Sequence, residues 1–388
     1  MKKVKSFALT ICTISSLLLS GCLEGPNTGV IPQIKQDNIE SKQDSLEFKV
    51  VSAGFYHTLA VDVNGDVWGW GDNESGQLGE VDSANSNVPI KISNLSKIVK
   101  VVGGKEHSVA LREDGTVWSW GSNAFGELGV GTFEASTTPA QVKGIEKVID
   151  IDANSNSTIA LKEDGTVWVW GSNAYGELGR EGDNSAVPVQ VEGLQNISKI
   201  SAGFKHFLAV QKDDGSIWAW GWNRETNLGV GSNEEIVNTP TKVKGLTGII
   251  DVAGATGSII ALNKDGSVSE WGGGEAPPQE ILKAGSSSII GQGNFHSFAA
   301  NKEGKLWSWG LNRNGQLGLG ENVDKIMPVN EVKQITGVVS VSGGDGHSVA
   351  LDKEGNVWTW GSNEYGQLGD GTNIDKSIPE KLTIIGNK

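Results

Sequence analysis

The five histidines are the side chains of this chain best suited to bind a metal ion or to transfer a proton near neutral pH. They share one recurring position, after a short apolar run that ends in a small pair: His57, His107, His206, His296 and His347. Ligands of one metal ion must converge within bonding distance, which side chains from separate copies of a repeat do not easily do. We therefore interpret each imidazole as a structural group that bridges neighbouring strands or loops, with Ser157 and Ser258 in its place elsewhere. The sequence predicts no metal site and no cofactor.

Catalytic chemistry has equally little support. The sequence contains no G-x-S-x-G, H-E-x-x-H, C-x-x-C or phosphate-binding loop, and no helix or lysine follows the triglycine at 272–274 as a phosphate loop requires. The acidic residues beside the turns recur from copy to copy, as a solvated rim would. We predict that the protein is not an enzyme, with a hydrolase as a disfavoured alternative.

A phrase built around two tryptophans organises the chain. The stretch EDGTVWSWGSNAFGELG at 113–129 returns almost unchanged at 163–179. The second tryptophan of the phrase occurs at Trp70, Trp120, Trp170, Trp220, Trp271, Trp309 and Trp360. The first occurs at Trp68, Trp118, Trp168, Trp218, Trp307 and Trp358, with Ser269 in the fifth copy. The sequence therefore contains seven units of about fifty residues each.

Each unit contains a hairpin signal. A pair such as Asn64-Gly65 or Asp114-Gly115 separates the run that follows the histidine from the tryptophan pair. Such pairs predict a two-residue type I′ turn with positive φ at both positions, so the two runs are antiparallel strands. Residues two apart in a strand share a face, and the two indoles therefore need the next repeat to cover them.

A proline lies eighteen to twenty residues after the second tryptophan in six units, at Pro89, Pro139, Pro188, Pro240, Pro328 and Pro379. We predict that each proline opens a fourth, outer strand, where its missing N–H costs no ladder bond. Seven four-stranded antiparallel units with aromatic faces that must be covered indicate an all-β fold, a closed seven-bladed β-propeller. An open array would leave the indoles of the last unit exposed.

The first 47 residues differ from the repeats. Three lysines and an apolar run at 7–19 precede Leu19-Ser20-Gly21-Cys22, which resembles the signal of bacterial lipoproteins. The resemblance implies a signal peptide at 1–21, lipid attached to Cys22, and a flexible tether at 22–47 before a propeller at 48–388. The protein is then exported and held on a bacterial membrane with the propeller outside the cytoplasm; an ordinary secretory signal is the alternative.

The charge of the chain restricts its partners. The formal net charge is −14, and loss of the three lysines at 1–21 would change it to −17. A body this acidic repels nucleic acid and anionic lipid headgroups. We predict a protein partner, contact with the membrane only through the N-terminal lipid, and a monomer.

The repeats resemble the regulator of chromosome condensation (RCC1-like) repeat family over about 340 residues. The resemblance lies in AGFYHTLAV at 53–61, DGTVWSWG at 114–121 and NEYGQLGDG at 363–371. It implies a seven-bladed propeller, and the family uses this scaffold for nucleotide exchange, light sensing, ubiquitin-ligase and inhibitor roles. The fold alone does not choose among them.

Departures from the repeat indicate where binding takes place. The fifth repeat, near 250–285, lacks the histidine, the first tryptophan and the SNxxGQLG loop. Trp222, beside it in the fourth repeat, is the one tryptophan outside the W-x-W pairs, so a notch with an aromatic lip is expected there. The two residues before each histidine position vary, and their aromatic members are Phe55, Tyr56, Phe204 and Phe295. These four residues and Trp222 form the candidate binding surface.

These observations favour a membrane-anchored lipoprotein that presents a rigid propeller as a protein-interaction platform. An inhibitor of an extracytoplasmic enzyme, similar to the propeller β-lactamase inhibitors, is the alternative. A nucleotide-exchange role is disfavoured because the chain has an export signal and no long insertion between its repeats.

Overall fold

The computed structural model describes residues 46–80, 84–272, 275–283 and 285–383. The predicted signal peptide, Cys22 and all but the last two residues of the predicted tether lie outside the described residues. No helix within the described ranges has the length and apolar character needed to cross a bilayer.

The strands form seven antiparallel sheets, each made of four consecutive strands, and we call these sheets blades one to seven. Blade one contains β1 (Phe48–Ala53), β2 (His57–Asp62), β3 (Val67–Gly71) and β4 (Ser86–Lys91). Blade two contains β5 (Ile98–Gly103), β6 (His107–Arg112), β7 (Val117–Gly121) and β8 (Ser136–Gln141). Blade three contains β9 (Val148–Ala153), β10 (Ser157–Lys162), β11 (Val167–Gly171) and β12 (Ser185–Gln190).

Blade four contains β13 (Ile197–Ala202), β14 (His206–Gln211), β15 (Ile217–Trp222) and β16 (Ile236–Lys242), with a 3-10 turn at Arg224–Thr226. Blade five contains β17 (Ile249–Gly254), β18 (Ser258–Asn263), β19 (Val268–Gly272) and β20 (Glu275–Leu282). Blade six contains β21 (Ile289–Gln292), β22 (His296–Ala300), β23 (Leu306–Asn312) and β24 (Val323–Val332). Blade seven contains β25 (Val338–Gly343), β26 (His347–Asp352), β27 (Val357–Gly361) and β28 (Lys376–Lys381). The predicted seven-bladed propeller is confirmed, and the degenerate repeat still forms a complete blade.

The ring closes without exchange of strands, because the first and last blades each keep their own four. β1 lies beside β25 and β26. The Phe48 N–H donates to the Gly355 carbonyl (3.0 Å), and the Ala53 N–H donates to Ser342 Oγ (3.1 Å). The first strands of all seven blades line a central channel of about 440 Å³.

The hairpin turns differ from the prediction. The Asp62 N–H donates to the Asp66 carbonyl at 3.0 Å, so the loop between them has three residues rather than two. Gly65 has a positive φ (85°), whereas Asn64 does not. Asp62 Oδ1 accepts from the N–H groups of Asn64 (2.9 Å) and Asp66 (3.0 Å) and stabilises this longer loop. The predicted type I′ turn is therefore wrong, and a three-residue loop with one left-handed glycine replaces it in blade one. In blade four the Gln211 N–H donates to the Ser216 carbonyl, so that loop has four residues.

The outer strands also begin earlier than predicted. β4 starts at Ser86, three residues before Pro89, and pairs with β3 on both sides of a bulge. Gly71 pairs with Ser86 and Gly69 pairs with Ile90, which leaves Pro89 among the extra residues of the bulge. Proline fits there because no ladder bond needs its N–H.

The two tryptophans of each pair lie in different environments. The second is fully buried in five blades (Trp70, Trp120, Trp170, Trp220 and Trp360). It packs on the preceding blade, as Trp170 does against Val109, Leu111 and Val117. The first, such as Trp68, is only half-buried. The second indole therefore supplies most of the aromatic packing between blades.

A hydrogen-bonded group of four residues joins blade one to blade two, and we call such a group an interface node. Trp120 Nε1 (2.7 Å) and Ser108 Oγ (2.8 Å) both donate to the Gln77 carbonyl. His57 Nε2 lies 3.0 Å from Ser108 Oγ. Because the hydroxyl hydrogen is used on the carbonyl, Nε2 must donate to the hydroxyl oxygen, which assigns the neutral Nε2–H tautomer.

The same node recurs at three other interfaces. Its members are Trp170, Glu127, Thr158 and His107; Trp360, Gln316, Ser348 and His296; and Trp70, Gln367, Thr58 and His347. Burial lowers the pKa of each of these four imidazoles to about 3. The histidines therefore stay neutral at physiological pH and act as hydrogen-bond donors between blades.

The glycine three residues before each histidine is required for space. A Cβ on Gly104 would lie 2.2 Å from His107 Cε1 and 2.6 Å from the Asn154 carbonyl oxygen. Where serine replaces histidine, the glycine is also replaced: Asn154 accompanies Ser157, and Ala255 accompanies Ser258. The glycine and the imidazole therefore occur together, and we call the two residues the packing unit.

The interface between blades four and five lacks the node. Ile259 occupies the hydroxyl position, and both ring nitrogens of His206, Trp271 Nε1 and the Asn227 side-chain amide have no hydrogen-bond partner among the residues that the structure describes. A large apolar cluster that includes Phe207, Ile259 and Trp271 covers this interface. Apolar packing replaces the polar node here.

A side chain of blade five replaces the loop that this blade lacks. Trp309 Nε1 donates to the carboxylate oxygen Oε2 of Glu270 at 3.0 Å, whereas Trp70, Trp120, Trp170, Trp220 and Trp360 donate to a loop carbonyl. Glu270 thus supplies from its side chain the acceptor that the missing loop would have supplied.

Substitution of Gly104 tests the packing unit. We expect Gly104→Ala to lower the free energy of unfolding by about 2 kcal/mol, because the new methyl group overlaps the imidazole. In a His107→Ser background, which copies the Ala255 and Ser258 pair, the same substitution should cost about 1 kcal/mol less, because the overlap with the imidazole is gone and the contact with the Asn154 carbonyl oxygen remains. Chemical denaturation of the four proteins measures both values.

The matched control is Gly257→Ala. A Cβ there meets no atom within 4 Å, so stability should not fall. Equal costs for Gly104→Ala with and without His107 would show that the imidazole does not impose the glycine.

Candidate binding face

The loops between the first and second strands of all seven blades meet at one end of the channel, and we call this end the loop face. They line a depression of about 380 Å³. Main-chain bonds link neighbouring loops, for example from the Phe55 N–H to the Gly104 carbonyl (3.1 Å) and from the Asp345 N–H to the Phe55 carbonyl (3.1 Å). These bonds fix the predicted variable residues on a rigid rim.

Two of the predicted aromatic residues meet across the channel mouth. The rings of Phe55, from blade one, and Phe204, from blade four, stack with centroids 5.9 Å apart and an interplanar angle of 20°. Both side chains line the channel and also the outer depression. The stacked pair therefore lies between the two cavities.

The stacked pair belongs to a longer aromatic row on the loop face. Tyr56 contacts Phe55 (6.3 Å between centroids) and Tyr365 (5.3 Å). At the other end, Trp222 contacts Phe204 (6.2 Å) and Tyr175 (5.4 Å). In order along the row, its members are Tyr365, Tyr56, Phe55, Phe204, Trp222 and Tyr175.

Tyr175 and Tyr365 were not among the residues predicted from the sequence. Both occupy the fourth position of the SNxxGQLG loop, where Phe125 also lies, and that position is otherwise polar. The aromatic residues at this position were the feature of the sequence that could have indicated them. The sequence does not show, however, that this loop reaches the loop face.

The structure places Trp222 differently from the predicted notch beside blade five. Its ring contacts are with Tyr175 of blade three and with residues of its own blade. Trp222 Nε1 donates to Glu235 Oε1 at 3.3 Å. Phe295 lines the depression and is 49% exposed. The five predicted surface residues thus lie on one face.

The ammonium group of Lys205 lies among three rings of the row. Its Nζ is 4.0 Å from the centroid of Tyr175, 5.2 Å from Phe204 and 5.3 Å from Trp222. The Arg224 guanidinium lies 5.7 Å from Trp222. Distances of this size are those of cation–π interactions.

The channel contains charged residues that neutralise one another. Lys100, Asp150, Lys199 and Asp251 alternate in sign around blades two to five, with Asp152 nearby. Burial disfavours charge on Lys100, but the adjacent Asp150 and Asp152 outweigh it and raise the pKa of Lys100. Burial raises the pKa of Asp152 to about 6. Lys100 Nζ forms an ion pair with Asp150.

The histidines do not converge on one point, because each paired Nε2 contacts a hydroxyl of the adjacent blade. His206 has no such partner. Among the described residues, no group of three histidine, cysteine or acidic side chains is arranged to hold a metal ion. The distinctive chemistry of this face is therefore aromatic and cationic.

Comparison with known families identifies the repeats. Residues 24–278 match the model of the RCC1-like domain. Residues 303–351 and 354–388 match the model of the regulator of chromosome condensation (RCC1) repeat.

Relatives of known sequence cover only part of this chain. The probable E3 ubiquitin-protein ligase HERC6 of Homo sapiens is 33% identical over 232 residues, which are 53% of this chain and 22% of that protein. The ultraviolet-B receptor UVR8 of Arabidopsis thaliana is 33% identical over 220 residues, 52% of this chain and 50% of the receptor. The chain thus spans half or less of each of these two relatives.

Among solved structures, Prp20p of Saccharomyces cerevisiae aligns with a TM-score of 0.74 and 23% identity, over 87% of this chain and 88% of that one. Similarity at this level of identity shows a shared fold.

Proposed function

Because the chain belongs to the RCC1 repeat family, we propose that it acts by binding a protein partner on the loop face. The observation that carries the proposal is the aromatic row, which crosses this face from Tyr365 to Tyr175 on a hydrogen-bonded rim. Aromatic side chains held rigidly at a surface lose little entropy on binding and commonly anchor interfaces.

Proteins of similar structure that bind other proteins support a binding role. The Prp20p structure is described together with its binding properties to Gsp1p and histones, and yeast RCC1 has also been solved with Kap60 bound. Those partners belong to those proteins. What supports the proposal is that a propeller of this family serves as a docking scaffold for proteins.

The charge of the chain indicates the type of partner. With a formal net charge of −14, the chain attracts basic protein surfaces and repels nucleic acid. An apolar patch bordered by lysine or arginine on the partner would complement the aromatic row.

The N-terminal sequence supports attachment to a membrane. Leu19-Ser20-Gly21-Cys22 after a basic and apolar segment is the feature on which the proposal rests. Acyl chains on Cys22 would hold the propeller at the surface, since each buried CH₂ contributes about 0.8 kcal/mol. The loop face would then bind its partner outside the cytoplasm.

Substitution of Cys22 tests the anchor. We expect Cys22→Ser to move the protein from the membrane fraction to the soluble fraction and to remove the acyl mass from its N-terminal peptide. Cell fractionation and mass spectrometry measure the two effects. Cys12→Ser is the control and should leave both unchanged; membrane attachment that persists in Cys22→Ser would refute lipidation at this residue.

Substitution in the row tests the docking face. We expect the Phe204→Ala/Trp222→Ala protein to bind the partner about 30-fold more weakly than the wild type, as loss of a central aromatic anchor costs about 2 kcal/mol. The partner is first captured from envelope extract with the full chain and identified by mass spectrometry. Its affinity for each variant is then measured with purified proteins.

Phe133→Ala is the matched control, because Phe133 is 53% exposed and lines a separate cavity. Equal binding by the wild type and the double variant would place the docking surface elsewhere. A partner enzyme that loses activity on binding would favour the inhibitor alternative over a passive platform.

A further inference from the structure

Three separate segments place their rings around one ammonium group. Tyr175 comes from the loop after β11, Phe204 from the loop before β14, and Trp222 from the end of β15. The Trp222 ring contacts the other two, at 5.4 Å from Tyr175 and 6.2 Å from Phe204. We call these three rings the cage, and Lys205 Nζ lies 4.0 to 5.3 Å from their centroids.

A cage of this kind attracts cations by its electron-rich faces. Aromatic rings favour alkylated ammonium groups in particular, since these are weakly hydrated and lose little on leaving water. Two carboxylates increase the attraction. Glu235 accepts a hydrogen bond from Trp222 Nε1 at 3.3 Å, and Glu177 lies close enough to interact electrostatically with Lys205.

Lys205 contacts the rings directly, whereas Glu177 acts on it only at longer range. Among the described residues, the ion pairs include no contact of Lys205 Nζ with a carboxylate within 4.0 Å. Lys100 differs, because it is paired with Asp150 inside the channel. A lysine on a flexible stem that is held by cation–π contacts without a direct ion pair is easily displaced, since each such contact near the surface is weak.

We propose that the cage is a binding site for the side-chain ammonium group of a lysine on a partner polypeptide, and that Lys205 fills it when the partner is absent. The inference rests on the proposed docking face and specifies which chemical group of the partner binds there. The occupant is a lysine because the group already seated in the cage is a lysine ammonium. A polypeptide carries that side chain, and the acidic surroundings favour a basic partner segment.

The proposal predicts competition between Lys205 and the incoming lysine. Removal of Lys205 empties the cage, so the Lys205→Ala protein should bind a lysine probe about tenfold more tightly than the wild type. Trimethylation of the probe should increase its affinity further. Acetylation, which keeps the stem and removes the charge, should abolish binding.

The experiment uses the full chain with ¹⁵N-labelled tryptophan and follows the Trp222 indole signal by NMR. The probes are Nα-acetyl-lysine methylamide with a free, a trimethylated or an acetylated ε-amine. The Lys205→Ala/Tyr175→Ala protein, in which the cage is broken, should lose the added affinity. Lys212→Ala is the matched control, because Lys212 is an exposed lysine in the turn between β14 and β15 of the same blade and its loss should leave the affinity unchanged.

Several results would overturn the inference. Equal affinity of Lys205→Ala and the wild type for the trimethylated probe would show that Lys205 does not occupy a binding site, and Lys205→Gln checks that the result does not depend on one substitution. Equal binding of the acetylated probe would show that charge is not recognised. Binding of choline at least about tenfold tighter than that of the trimethylated lysine probe would refute a polypeptide occupant and indicate a small molecule or a lipid headgroup.

Failure here can be told apart from failure of the docking face. If the lysine probes do not bind but Phe204→Ala/Trp222→Ala still weakens the protein partner, the docking face stands and the cage assignment is wrong.

Discussion

A main-chain carbonyl that accepts two hydrogen bonds is the contact on which the ring depends. In each complete interface node, one loop carbonyl receives an indole N–H and a hydroxyl from the next blade, and the hydroxyl receives an imidazole N–H from the carbonyl's own blade. All four groups are buried, where an unpaired donor or acceptor would cost about 1 to 3 kcal/mol. Each complete node therefore requires four features together: the histidine, the tryptophan, the SNxxGQLG loop and the glycine before the histidine. The sequence repeats them because the ring has several copies of the same interface.

Two of the three interfaces that lack the complete node border blade four, which carries two of the three rings of the cage. Between blades four and five, Ile259 replaces the hydroxyl and apolar packing covers the unpaired groups of His206 and Trp271. Blade four also carries Phe204, Lys205 and Trp222 on the loop face. The regular blades provide a rigid frame, and the irregular blade four provides most of the chemistry that distinguishes this face.

The sequence predicted the fold well because the repeat states each local element several times. Seven tryptophan phrases predicted seven four-stranded blades, and the structure has them. The predictions that were wrong concern local details. The Asp62 carboxylate stabilises a three-residue turn, and a bulge places Pro89 inside the outer strand rather than at its start. Phe55, Tyr56, Phe204 and Phe295 could be proposed from their variable positions. The cage could not, because it joins Tyr175, Phe204 and Trp222 from three separate segments whose approach only the folded ring defines.

The most direct measurement of the central claim is hydrogen exchange at the indole N–H groups of the second tryptophans. Trp120 and Trp271 are both almost completely buried, but only Trp120 donates to a loop carbonyl, whereas Trp271 Nε1 has no partner within the described part of the chain. If the nodes hold the blades together, the Trp271 indole should exchange about tenfold or more faster than that of Trp120, because opening its interface breaks no such bond. Equal protection of the two indoles would contradict the account and assign the cohesion of the ring to apolar packing alone.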